Sequence, residues 1–242
     1  MTGVAIVCYN TPKIITKMEY DVTVLVNSYN EKEPVFRRAI ESIVKAKPIQ
    51  IIISTVKGDQ CIKWAENYPA QVIINEKPGI FQQLNAMIPY IKGKYVCYAS
   101  SNDKMLPNKL KIEVSKLKGK NKVCYSSFKV INKLHNRVYI QKFPTIFNYQ
   151  RMFKSGYISD CSMVETKTFL KYMPFREQYN NSAYRDLWLR IYEGEGNVFV
   201  YNDMPAWVYY IDVNSQHVRQ KKDPEIRKKR MADRERMLND HR

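Results

Sequence analysis

A polar segment with one carboxylate follows an apolar run near the middle of the chain. Residues 94–99 are rich in β-branched and aromatic side chains and predict a central strand. The next four residues, 100–103, read Ser-Ser-Asn-Asp, and Pro107 is suited to the first turn of a helix. Oxygen ligands of this kind suit Mg²⁺ or Mn²⁺. The segment therefore predicts either a metal site at the carboxyl end of a strand or an ordinary turn that caps a helix.

The segments before this one alternate between strand-like and helix-like patterns. Short runs rich in Val and Ile predict strands, and apolar residues spaced three and four apart predict helices. From the first core strand onward, the predicted segments are a strand at 21–26, a helix at 34–44, a strand at 49–53, a helix at 60–68, a strand at 71–74 and a helix at 79–88. This alternation predicts an α/β fold, in which a Rossmann-like, mostly parallel central sheet has flanking helices on both faces.

The second half of the chain changes character. Residues 122–131 and 137–143 are joined by a turn and predict a small antiparallel hairpin. Residues 180–182, Asn-Asn-Ser, can cap a further helix that Gly194 ends. The apolar stripe of that helix consists of Tyr184, Leu187, Trp188 and Ile191. A strand is predicted at 197–201.

Length and charge limit the classes of protein. The chain has 242 residues, 45% of them hydrophobic, and no linker rich in Gly, Ser or Pro divides it. We therefore expect one globular domain at 1–216 and a basic helical tail at 217–242, and we exclude a disordered chain. With 40 Lys and Arg against 23 Asp and Glu, the net charge is +17, so an anionic partner is expected.

Cysteine usage and hydropathy bear on the compartment. The five cysteines occur singly, without a C-x-x-C pair or a histidine at ligand spacing. They predict buried thiols in a reducing compartment. No apolar run reaches the roughly 20 residues of a membrane-spanning helix. We expect a cytoplasmic protein, with peripheral association at an anionic membrane surface through the basic tail as an addition.

Several motifs in one order resemble a family 2 glycosyltransferase of the GT-A fold. Residues 22–31 resemble the opening strand and Tyr-Asn-Glu turn of that family. Residues 100–103, followed by 105–110, resemble its Asp-x-Asp segment and the helix start behind it. Residues 186–190 resemble its catalytic helix. The resemblance covers about residues 20–216, and its specificity lies in the ordered set.

The resemblance implies an inverting sugar transfer. The donor is a nucleotide diphosphate sugar, with a UDP-sugar favoured, the acceptor is a glycan hydroxyl, and the cofactor is Mn²⁺ or Mg²⁺. The nucleotide-binding half lies at about 20–110 and the acceptor half at about 111–216. The implied nucleotide contacts are Ser28, Tyr29, Glu31, Thr55, Ser101 and Asn102.

Some positions depart from the family pattern. Ser-Thr at 54–55 stands where the family usually has two aspartates. Ser100 and Asn102 leave Asp103 as the only carboxylate of the Asp-x-Asp segment, and the usual catalytic aspartate falls at Tyr184. A degenerate, non-catalytic family member is therefore an alternative.

Glycosyl transfer needs a neutralised leaving group and a base for the acceptor hydroxyl. Asp103 is the expected metal ligand, with a helix N-cap as the alternative, and His217 is a second metal candidate. Asp186 is the expected base; the alternative is a solvated ion pair with Arg190, four residues later. Asp160 is the second candidate base, and its alternative is a turn residue.

Two further interpretations remain open. Tyr29, at the end of a predicted strand, either stacks on a nucleotide base or belongs to the core. The positive charge and the 18 tyrosines also suit a nucleic-acid-binding module. Because the basic residues are dispersed and no recognition motif occurs, we expect no specific nucleic-acid partner.

Overall fold

A mixed sheet of ten strands runs through the described part of the chain. The computed structural model describes residues 5–8, 19–213, 215, 218 and 223–241. The strands are β1 (Ala5–Cys8), β2 (Tyr20–Asn27), β3 (Pro48–Val56), β4 (Gln71–Asn75), β5 (Tyr95–Ser100), β6 (Lys104–Met105), β7 (Val123–Asn132), β8 (Arg137–Gln141), β9 (Met163–Glu165) and β10 (Phe199–Ile211). The helices used below are α1 (Glu33–Lys45), α2 (Cys61–Ala65), α3 (Ile80–Met87), α4 (Lys109–Lys116), α5 (Tyr149–Ser155), α6 (Thr166–Lys171), α7 (Ala183–Glu195) and α8 (Pro224–Asp240).

The strand order is β1-β4-β3-β2-β5-β9-β7-β10-β6, with β8 beside β7. Strands β4, β3, β2 and β5 are parallel neighbours, and Val24 of β2 lies opposite Ile51 and Cys97. Strand β9 enters antiparallel between β5 and β7, and β10 runs parallel to β7. The predicted α/β class, parallel half-sheet and hairpin are confirmed. Because β2, β3 and β5 are parallel, their carboxyl ends meet at one edge.

The central strands are buried on both faces, as a parallel sheet covered by helices requires. Val24 and Val26 of β2 belong to one apolar cluster with Phe36 of α1, whereas Leu25, on the opposite face, packs in a second cluster with Trp188 of α7. Alternate residues of a strand point to opposite faces, so one strand supplies both layers. The core therefore holds the carboxyl ends of these strands at defined positions.

The short elements differ most from expectation. The helix predicted at 60–68 is the five-residue α2, and the strand predicted at 197–201 is the thirteen-residue β10. Strand β10 extends because it pairs with β7 on one side and with β6 on the other. The sequence did not indicate β6 or β9, since runs of two and three residues carry too little pattern.

The basic tail is largely exposed, but part of it packs against the rest of the chain. Met237 of α8 is fully buried, the Tyr179 hydroxyl donates a hydrogen bond to Asp240, and Arg234 donates one to the Lys154 carbonyl. These contacts join the tail to residues distant in sequence, and Met237 fills an apolar cluster, so the composition of the tail alone did not indicate them. No helix among the described residues is long and apolar enough to cross a membrane.

Candidate functional site

A cavity of about 620 Å³ opens beyond the carboxyl end of β5. Tyr98 and Asp103 line it from β5 and the segment that follows, and Tyr209 lines it from β10. The loop 156–161, between α5 and β9, forms another wall. The volume lies in the range of small-molecule sites, roughly 300 to 1,000 Å³. This cavity is the candidate site.

Asp103 lies between β5 and β6 and is nearly buried. Its Oδ1 accepts a hydrogen bond from the backbone N–H of Tyr210 at 3.1 Å. Burial raises the pKa of Asp103 to about 7; the Tyr210 hydrogen bond lowers it, and the charge of Asp160 raises it further. Asn108 occupies the N-cap position of α4. The capping alternative for Asp103 is therefore wrong, because the carboxylate bonds to β10 instead.

Arg38 of α1 is a neighbour that the sequence did not indicate. Its Nη2 donates a hydrogen bond to the Asn102 carbonyl at 2.5 Å, and its guanidinium lies 3.9 Å from the centre of the Tyr210 ring. Its positive charge lowers the pKa of Asp103. Only tertiary packing brings α1 to this edge, so no local motif identifies Arg38.

The donor set beside Asp103 consists of oxygen atoms. Asn102 is exposed, and its Oδ1 accepts a hydrogen bond from the Ser100 hydroxyl at 2.6 Å. No cluster of three metal-ligating side chains occurs among the described residues. A Mg²⁺ or Mn²⁺ ion bound mainly by one carboxylate, water and substrate phosphates does not require one. Because a cation would offset the buried charge of Asp103, these residues fit a divalent ion. His217, the other metal candidate, lies outside the described residues.

Asp160 lines the same cavity from the loop between α5 and β9. Its Oδ1 accepts hydrogen bonds from the backbone N–H of Cys161 at 3.0 Å and from the Ser159 hydroxyl at 3.2 Å. Desolvation by the surrounding walls raises its pKa, although the residue as a whole is exposed. The turn expected as the alternative is present, and the carboxylate nonetheless faces the cavity.

The charges of Asp103 and Asp160 both act on two tyrosines of the cavity wall. Burial raises the pKa of Tyr98, and the charges of Asp160 and Asp103 raise it further. Burial raises the pKa of Tyr209 to about 12, with the same two charges adding to the effect. Asp103 and Asp160 therefore both act on the tyrosines of the cavity that the two carboxylates line.

Asp186, the expected base, lies outside this cavity. It is fully buried and does not line the cavity. Its Oδ2 accepts a hydrogen bond from Arg190 Nε at 2.9 Å, and its Oδ1 lies 3.4 Å from Arg176 Nη1 and 3.0 Å from His241 Nε2. The carboxylate is buried because α7 is covered beyond its apolar stripe, by Arg190, Arg176 and His241 among others. The expected ion pair with Arg190 exists, but in a buried setting.

Tyr184, at the position of the usual family aspartate, is part of an aromatic wall. Its ring centre lies 5.3 Å from that of Phe81, 5.6 Å from that of Tyr98 and 5.1 Å from that of Phe175. Burial raises the pKa of Tyr184 far above its usual value, so the phenol is protonated and a poor base. Tyr184 lines the cavity as a neutral side chain.

The residues predicted to contact a nucleotide divide into exposed and buried groups. Tyr29 is 54% exposed and does not belong to the core. Glu31 accepts a hydrogen bond from the Ser101 hydroxyl at 3.3 Å, beside the cavity segment. The hydroxyls of Ser28 and Thr55 are buried; that of Ser28 bonds to Cys61 Sγ at 3.1 Å. Direct side-chain contact by these two residues is therefore not favoured.

Asp59 supports the turn that carries Tyr29. Its Oδ2 accepts a hydrogen bond from the backbone N–H of Asn30 at 2.7 Å, and its Oδ1 accepts one from the N–H of Cys61 at 2.9 Å. Asn30 has a left-handed backbone with a φ of 53°, which asparagine tolerates better than most residues. The sequence analysis did not single out Asp59, although its position as the first acidic residue after β3 was a signal that could have identified it.

The family assignment follows from the chain's sequence. Residues 23–178, more than half of the chain, match the family described as "Glycosyl transferase family 2". The chain belongs to that family. No curated protein sequence matches the chain.

Solved structures share the fold at low identity. TarS 1–349 of S. aureus superposes with a TM-score of 0.62 and 15% identity over 78% of this chain and 60% of that one, so the chain spans 60% of the TarS segment. The same segment in complex with UDP-GlcNAc gives a TM-score of 0.57 at 15% identity, over 82% and 60%. Glucosyl-3-phosphoglycerate synthase from Mycobacterium tuberculosis, in complex with Mn²⁺, UDP and glucosyl-3-phosphoglycerate, gives 0.63 at 12% identity, over 90% and 80%.

Proposed function

We propose that this chain transfers a sugar from a UDP-sugar to a hydroxyl of a glycan acceptor, with inversion. The observation that carries the proposal is the placement of Asp103 and Asp160 in one cavity beyond the end of a parallel strand. Open α/β sheets bind ligands at this edge. The solved complexes of TarS with UDP-GlcNAc and of glucosyl-3-phosphoglycerate synthase with UDP support the choice of UDP.

The donor is proposed to bind beside β2 and β5. The exposed ring of Tyr29 offers a face for the base, and Asp59 holds the turn that positions it. Asp103, with Asn102 beside it, would hold Mn²⁺ or Mg²⁺. When bound, such an ion neutralises the charge of the diphosphate leaving group as a Lewis acid. Arg38 fixes the Asn102 backbone through its carbonyl.

Asp160 is proposed as the base that accepts the proton of the acceptor hydroxyl. A raised pKa makes its carboxylate a stronger proton acceptor than an ordinary aspartate. The hydrogen bonds from Ser159 and Cys161 orient the carboxylate. The hydroxyl oxygen attacks the anomeric carbon as the bond to the diphosphate breaks, and a single displacement inverts that centre. Asp186 is unsuited to this step because its oxygens contact Arg190, Arg176 and His241.

Calorimetry and donor hydrolysis test this function together. UDP should bind the intact chain more tightly with Mn²⁺ than without it, and one member of a UDP-sugar panel should be hydrolysed. Oligonucleotide binding with a steep salt dependence, in the absence of UDP binding, would establish the nucleic-acid alternative instead. Metal-dependent UDP binding without hydrolysis or transfer would identify a non-catalytic family member.

A further inference from the structure

One part of the cavity wall is formed by arginines from two helices. Arg185, in the first turn of α7, and Arg230 of α8 both line the cavity. Arg234 lies one turn after Arg230 on the same side of α8. Desolvation lowers the pKa of Arg185 to about 10, and the charges of Arg234 and Arg230 lower it further. The positive charges of Arg230 and Arg234 thus act on Arg185.

The resolved partners of Arg185 and Arg234 are neutral. Nη2 of Arg185 donates a hydrogen bond to the Ser155 carbonyl at 3.0 Å, and Arg234 donates one to the Lys154 carbonyl. Both carbonyls belong to the last turn of α5, and they orient the cations without neutralising them. Nη1 of Arg185 is buried and has no hydrogen-bond partner. A buried N–H donor left unpaired is costly, so the Arg185 guanidinium has hydrogen-bonding capacity that its protein partners leave unused.

Gly156 lets the Arg185 guanidinium lie against the loop that carries Asp160. A Cβ atom at Gly156 would lie 2.4 Å from Arg185 Nε, and the residue has a left-handed φ of 57°. The same loop continues to Asp160, which lines the cavity with Arg185. The cationic groups therefore face the same space as the proposed base.

We propose that Arg185 and Arg230 bind a phosphate group carried by the acceptor, so that the acceptor is a phosphorylated sugar or polyol. Guanidinium groups bind phosphate oxygens in a planar, bidentate manner. This inference rests on the proposed function, because it names the acceptor class of the same cavity. The donor diphosphate has its expected place at Asp103, whereas the arginines belong to α7 and α8. The net charge of +17 would also attract an anionic acceptor.

Glycerol 3-phosphate and glycerol serve as matched probes, titrated into the intact chain with and without UDP and Mn²⁺. Only the phosphorylated probe should bind. Arg230→Gln should weaken its binding roughly tenfold to a hundredfold, the range for a lost charge-assisted hydrogen bond. Arg230 is exposed, so this variant should fold. Arg185→Gln should have at least as large an effect.

Lys228→Gln is the control, because it removes the same charge from the opposite side of α8. It should leave glycerol 3-phosphate binding unchanged. Equal binding of the probe by the wild type and Arg230→Gln, or no binding at all, overturns the inference. A loss of UDP affinity in Arg230→Gln, with probe binding unchanged, would assign the arginines to the donor and also overturn it.

The two proposals fail in distinguishable ways. If glycerol 3-phosphate binds through Arg230 while UDP does not bind, the anion site stands and the proposed function fails. If UDP binds with Mn²⁺ while glycerol 3-phosphate does not bind, the proposed function stands and the phosphate site fails.

Discussion

The cavity that contains Asp160 and the buried cluster that contains Asp186 place a carboxylate in opposite surroundings. Asp160 accepts hydrogen bonds from a hydroxyl and a backbone N–H, and it is an exposed residue that lines the cavity. Asp186 is sealed from solvent and contacts two guanidinium groups and an imidazole. A general base needs access to substrate and an available oxygen. The comparison shows that position in a family motif does not by itself give a carboxylate access to the cavity.

Replacing the cavity carboxylate should have the largest effect on catalysis. Asp160→Asn keeps the size of the side chain and removes its basicity, so kcat should fall by roughly 10²- to 10⁴-fold while UDP affinity stays unchanged. Steady-state transfer and calorimetry with UDP measure the two quantities. If Asp160→Asn transfers sugar at the wild-type rate, Asp160 is not the base.

Replacing the buried carboxylate should affect stability instead. Asp186→Asn leaves Arg190 and His241 facing a neutral amide, and removal of one partner from a buried ion pair costs roughly 3 kcal/mol in the free energy of unfolding. Urea unfolding measures this cost, and the exposed Asp203→Asn is the matched control. A stable Asp186→Asn with kcat reduced a hundredfold would reverse the comparison and restore Asp186 as the base.

Asp103, the proposed metal ligand, resembles both aspartates: it is nearly buried, like Asp186, and it lines the cavity, like Asp160. Mn²⁺ should tighten UDP binding to the wild type by roughly tenfold or more, and Asp103→Asn should abolish this enhancement. In the wild type, the enhancement should weaken as pH falls below about 7, because the protonated carboxyl must release its proton to bind metal. Calorimetry between pH 6 and pH 8 measures it. An unchanged Mn²⁺ enhancement in the variant would rule out Asp103 as a ligand.

Asp103→Asn should also change the free energy of unfolding, and the pKa of Asp103 fixes the direction of that change. Folding raises the pKa of Asp103 from 3.8 to about 7, so ionisation of this carboxyl destabilises the folded chain increasingly across that interval. Without metal, Asp103→Asn should therefore raise the free energy of unfolding by roughly 1 to 3 kcal/mol at pH 8 and by little at pH 4. Denaturant unfolding at both pH values measures the gain. An equal gain in the free energy of unfolding at pH 4 and at pH 8 would contradict a raised pKa for Asp103.

The smallest effect concerns His241, which joins the tail to the Asp186 cluster. Burial lowers the pKa of His241, but hydrogen bonds to Asp186 and Glu193 outweigh burial and raise it above 6.5. The protonated imidazole therefore stabilises the folded chain at low pH, and this contribution is lost as pH rises through the raised pKa. The difference in unfolding free energy between the wild type and His241→Gln should shrink by about 1 kcal/mol between pH 6 and pH 9. The exposed His135→Gln should show no such change.

The sequence predicted the elements that have long, regular patterns. The strands β2, β3 and β5 and the helix α1 were identified because their apolar periodicity extends over several residues and local propensity agrees with burial. The segment with Asp103 was placed at the end of β5 for the same reason. Short strands such as β9 were not identifiable, because only pairing on both sides makes three residues a strand.

The sequence alone determined the α/β class, the order of the central elements and the oxygen-rich segment that ends in Asp103, because these depend on neighbours along the chain. The tertiary structure decided which carboxylate faces the cavity. It packed α8 and His241 over Asp186, and it brought the loop with Asp160 to the end of β5. Accessibility and charge at a given side chain depend on groups distant in sequence, and local spacing carries no record of them.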